Sequence, residues 1–126
     1  MSDVQPFRPF VPPADRASQV ASVPYDVVDT PEARALAEGN PISFLHVTRP
    51  DIDLPDDADP HGKDAYAQAR RALEGLIAEG ALAQEEEPCV YLYRLTWQGQ
   101  SQTGLVAAYS VEEYDQGLVK KHELTR

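Results

Sequence analysis

VYLYRLTWQGQSQTGLVAAY, residues 90–109, is the stretch on which the fold turns. Two runs rich in aromatic and β-branched residues flank a short polar segment containing Gly99, which is the pattern of a β-hairpin. Side chains alternate along a strand, so Val90, Leu92, Arg94 and Thr96 share one face while Tyr91, Tyr93, Leu95 and Trp97 share the other. The second set is expected to be the buried face. Just beyond, SVEEY offers Ser110 as an N-cap with Glu113 three residues later, a capping-box pattern for a short helix ended by Gly117. LVKKHELTR then reads as a strand or loop.

Upstream of the hairpin, Tyr66, Ala69, Leu73, Leu76 and Ile77 recur at helical spacing, which predicts an amphipathic helix from Gly62 to Glu79 with Gly80 just past its end. Lys63, Asp64, Arg70, Glu74 and Glu79 form its solvated face. A second helix is expected where Thr30 can cap, Pro31 fits the first turn and Gly39 can take the left-handed position at the end. SFLHVTR and VPYDVV have the apolar and β-branched density of strands, although a run as short as SFLHVTR could by periodicity alone be a helix segment; strand is the favoured reading. The first 23 residues read as an extended arm, because Pro6, Pro9, Pro12 and Pro13 stop any helix. Residues 49–62 read as a solvated excursion. The sum is an α+β fold: a small mixed or antiparallel sheet with a hairpin in the C-terminal half, the amphipathic helix packed on it, and a proline-rich extended N-terminal arm. All of residues 1–126 are expected to form a single domain.

Composition narrows the function classes. The formal net charge of −10 repels phosphate backbones and anionic bilayers, so neither nucleic acid nor membrane is an expected partner. No stretch approaches the roughly 20 apolar residues that span a bilayer. Cys89 is the sole cysteine, and the start MSDVQPFRPF lacks the basic and apolar regions of a secretory signal, which points to the cytoplasm. The aspartates of DIDLP lack the glycine and closing glutamate of a calcium loop.

No strong catalytic motif is present, so candidate chemistry rests on smaller constellations. His122 and Glu123 could serve as general acid or base, or as a metal ligand, and the alternative is ordinary surface polarity. His46 lies in an apolar run, where a hydrogen-bonded structural histidine competes with a ligand or catalytic group. Arg49 could hold a phosphate or carboxylate in a bidentate fork, or pair with a nearby aspartate. Tyr25 and Asp26 sit in PYDV, whose proline could set a turn that aims the carboxylate. His46, His122 and either Asp26 or Glu123 are chemically suitable metal ligands, although their spacing does not show that they meet.

The segments PFRPF, VPYDVV, GNPISFLHVTRPDIDLP, AYAQARRALEGLIAEGAL and VKKHELT, in this order, resemble the N-terminal part of the bacterial and archaeal family known as domain of unknown function family 1015. The resemblance covers nearly the whole chain and is most specific at PYDV, GNPISFLHVTRP and KKHELT. It implies a protein of several hundred residues, of which this chain is an N-terminal fragment and the missing C-terminal part its partner. It also implies a downstream DGHHR-like stretch similar to that of the partition-protein and sulfiredoxin superfamily, which includes nucleotide hydrolases and free-serine kinases; this chain lacks that stretch. On this resemblance Tyr25, His46, Arg49 and Thr125 are candidate substrate-binding positions, and Asp26, His122 and Glu123 candidate catalytic ones. The expected activity is that of a phosphotransferase or phosphate-ester hydrolase acting on a small phosphorylated molecule, with a divalent metal and a nucleotide as candidate cofactors. The alternative is a non-catalytic α+β interaction or scaffolding domain.

Overall fold

The structure is a computed structural model that describes residues 3–121. The expected positions His122, Glu123 and Thr125 lie outside the described residues. The chain divides into two compact units, one formed by residues 1–9 with 84–126 and the other by residues 10–83. In chain order the elements are β1 (Val4–Gln5), β2 (Phe10–Val11), α1 (Ala17–Val20), α2 (Thr30–Ala37), α3 (Leu45–Thr48), a 3-10 turn at Pro50–Asp53, α4 (Lys63–Ala78), β3 (Ala83–Gln84), β4 (Tyr91–Trp97), β5 (Gln100–Val106), β6 (Ala108–Tyr109) and α5 (Val111–Asp115). The fold class is α+β, and the ladders of the first unit are antiparallel.

In the first unit, β4 and β5 form the expected hairpin with Trp97 opposite Gln100. The loop is therefore Gln98–Gly99. Both residues have positive φ, 49° and 78°, as a primed two-residue turn requires, and the glycine adopts this conformation without steric cost. Leu92 stands opposite Leu105, while Thr96 and Ser101 share a hydroxyl hydrogen bond of 2.8 Å. The proline-rich arm is pinned by short pairings on either side of Pro6: β1 pairs with β6, and Phe7 exchanges both backbone hydrogen bonds with Cys89. The Cys89 thiol donates to the Tyr91 hydroxyl at 3.1 Å, and this contact pushes the phenol above its ordinary pKa. Ser110 caps α5 through the Glu113 amide, as expected.

The other unit buries two small aliphatic clusters. Val20, Ile42, Leu76, Ala81 and Leu82 form one, with Phe44 and Val47 against it; Ala33, Ala37, Leu45 and Ile52 form the other, with Val28 against it.

Several expectations are corrected. SFLHVTR is not a strand: helical spacing sends Phe44 and Val47 to one cluster and Leu45 to the other, which alternation cannot do. VPYDVV is a turn with Tyr25 and Val27 each 62 % exposed. The arm is interrupted by α1. Asp29, not Thr30, caps α2, in a reciprocal capping box with Glu32. Helix α4 turns Ala65 and Leu76 inward and leaves Tyr66 65 % exposed, packing on α3 and the 3-10 turn of its own unit. The hairpin face expected to be buried is open, with Tyr93, Leu95 and Trp97 each more than half exposed.

Candidate functional site

Arg49 leaves α3 with φ −129° and ψ 62°, outside the helical region, because the following Pro50 disfavours helical geometry in the residue before it. The chain then folds into the 3-10 turn, which brings Asp51 back onto the guanidinium. Nε and Nη2 donate to the two Asp51 carboxylate oxygens at 3.0 and 2.9 Å, a bidentate fork. Nη2 also donates to the Thr30 hydroxyl at 2.9 Å, and that hydroxyl donates onward to Asp51 at 2.7 Å. Nη1 donates to the Tyr25 carbonyl at 3.2 Å and to the Val28 carbonyl. All five guanidinium N–H groups are thereby engaged.

The pair is largely buried, with the Arg49 and Asp51 side chains 17 % and 9 % exposed. Arg49 holds the Asp51 carboxyl down to a pKa of about 2, burial opposes that shift, and the Thr30 hydroxyl adds to it. The same hydrogen bond raises the Arg49 pKa.

A second arginine grips the following segment. From α2, Arg34 donates to the Ile52 carbonyl at 3.0 Å, the Leu54 carbonyl at 3.3 Å and Asp56 at 2.9 Å. The start of the expected solvated excursion is thus tightly organised, with Asp51 and Ile52 buried.

His46 is half-buried on α3 and holds two partners, the Asp53 carboxylate at 2.8 Å from Nδ1 and the Asn40 carbonyl at 3.1 Å from Nε2. A carbonyl only accepts, so Nε2 carries a proton and is committed to it. Neither ring nitrogen is open to a substrate in this arrangement.

Asp26 is exposed in the turn after Pro24, and its side chain has no hydrogen bond among the described residues. Of the expected positions, the fold joins Tyr25 to Arg49, through the Tyr25 backbone. Among the described residues no group of three or more His, Cys, Asp or Glu could hold a metal ion, and no helix is long and apolar enough to cross a membrane.

The expected alternative that Arg49 pairs with a nearby aspartate holds, with Asp51 as that partner, whereas sequence reasoning missed Thr30. The available signal was Arg49 and Asp51 flanking Pro50, close enough in sequence for a turn to close the pair. Arg49, Asp51 and Thr30 form one side of an open cleft of about 420 Å³ whose other lining includes Tyr25, His61 and Tyr66.

Comparisons with curated proteins and with solved structures return no match. A family model does match, over residues 4–126, and its description is Protein of unknown function (DUF1015). The chain belongs to that DUF1015 family.

Proposed function

We propose that this chain is a cytoplasmic, non-catalytic interaction module whose hairpin docks on polypeptide that follows it in a longer protein. The observation that carries this reading is the β4–β5 ribbon. Across residues 90–109 Arg94 is the only charged side chain, in a chain that is 25 % charged overall. Leu92 and Trp97, on opposite faces, are 78 % and 77 % exposed. A two-stranded ribbon with neither face covered is marginal in water, and further strands or a packed layer stabilise it. The longer protein implied by the family resemblance supplies a candidate for that layer.

A phosphate-handling enzyme is the other expectation, and the cluster described above favours it less. Arg49 offers no free N–H to an incoming anion, and His46 offers no free nitrogen to a reacting group.

The two readings separate in one experiment. Trp97 is the sole tryptophan of the chain, so its quenching by acrylamide reports hairpin exposure directly. Adding the separately produced C-terminal part, with its own tryptophans replaced by phenylalanine, is expected to protect Trp97 and shift its emission to shorter wavelength. An unchanged signal sinks the docking proposal. A thermal-shift response of the isolated chain to nucleotides, phosphate esters or divalent metals would instead restore the catalytic reading.

A further inference from the structure

The cleft beside the Arg49 cluster is lined both by groups whose hydrogen bonds are already satisfied and by groups whose hydrogen bonds are not. Arg49 spends its five donors internally, and Asp51 balances its charge. The pair therefore attracts no free anion. The lining also includes Tyr25 and Tyr66, 62 % and 65 % exposed, together with His61, Pro50 and Pro60. Neither phenol hydroxyl nor the His61 ring has a hydrogen-bond partner among the described residues. The result is an open groove with aromatic and proline surface and unused polar tips along it.

We propose that this groove binds a proline-rich peptide segment in the polyproline II conformation, carrying one basic residue. A polyproline II strand has no internal hydrogen bonds, so its carbonyls accept readily from phenol and imidazole donors. Its rings pack on exposed aromatic faces, and its preformed shape limits the entropy lost on docking. A volume of about 420 Å³ is that of a short stretch of peptide rather than of a whole domain. Charge complementarity sets the basic residue. The chain carries a net −10, Asp26 adjoins Tyr25, and Asp59 accepts from the His61 amide at 2.9 Å. This inference does not depend on the hairpin.

The test titrates the 126-residue chain with a blocked oligoproline peptide bearing an N-terminal arginine, followed by NMR. A Gly/Ser-rich peptide of equal length and charge is the control. The expected result is saturable shifts of the Tyr25, Tyr66 and His61 ring signals with the proline peptide alone. Y25L and Y66L are each expected to weaken binding about tenfold. Both should stay folded, because the Arg49 cluster uses only the Tyr25 carbonyl and Tyr66 projects from α4 into solvent. Circular dichroism melts check that. No shift at millimolar peptide, equal response to the control, or affinity unaffected in both variants would overturn the proposal. So would saturable binding of free indole with none of the peptide, or shifts seen only on self-association and lost when prolines 6, 9, 12 and 13 are replaced.

Discussion

Arg49 replaces with one side chain what a strand neighbour would otherwise provide to residues 25–30. A lysine cannot reproduce this, because one ammonium presents three donors without the planar fork. Arg49→Lys is expected to lower unfolding free energy by about 3 kcal/mol in urea titrations, and Asp51→Asn by a similar amount, since each leaves a buried group without its partner. The double variant should cost less than the sum of the two. Asp51 also makes stability acid-sensitive. Its pKa is about 2 in the fold against about 4 when unfolded, so its contribution is complete above the unfolded value. That contribution disappears as pH falls through the folded value, a loss of about 2 kcal/mol between pH 5 and pH 2. Urea titrations across that range should show a shallower pH slope in Asp51→Asn. Arg49 itself was legible in the sequence as a residue able to fork a carboxylate. Which nearby aspartate it would choose was not, because Asp51 sits in an acidic run whose average character is that of solvated loop.

At the scale of elements, signals carried by local chemistry were legible and signals carried by packing were not. Ser110, Gly39, Gly80, Gly99 and Gly117 behave as their positions suggest, because caps and left-handed turns are decided within a few residues. SFLHVTR was misread because a short apolar run has no periodicity of its own, and its two neighbouring clusters decide the geometry. The cap of α2 separates the two kinds of signal. Asp29→Ala should cost about 1 kcal/mol through the capping box. Thr30→Val should cost about as much for another reason, by removing the hydroxyl between Arg49 and Asp51. A double-mutant cycle with Asp51→Asn should find Thr30 coupled to Asp51 and Asp29 independent of it. In the hairpin, Gln98 holds a positive φ that Asn accepts more readily. Gln98→Asn should therefore slow amide exchange in β4 and β5.

Across the molecule, burial is uneven. The aliphatic clusters lie within residues 20–82, whereas strands β4 and β5 expose most of their side chains. Native-state hydrogen exchange should consequently find its slowest amides in α4 and much faster ones in the hairpin. The α+β class and the hairpin were readable from periodicity, while the division into two units depends on contacts distant in sequence. The Arg49 cluster has a final consequence for which substitutions the chain can absorb. Arg49 reads residues 25 and 28 through their carbonyl oxygens, so it is indifferent to the side chains they carry. A saturation-mutagenesis survey scored by abundance should show a sharp contrast within a few ångströms: near-complete intolerance at Arg49 and Asp51, and broad freedom at Tyr25 and Val27. The fold itself therefore places no demand on the exposed side chains of that turn, which are free to serve another purpose.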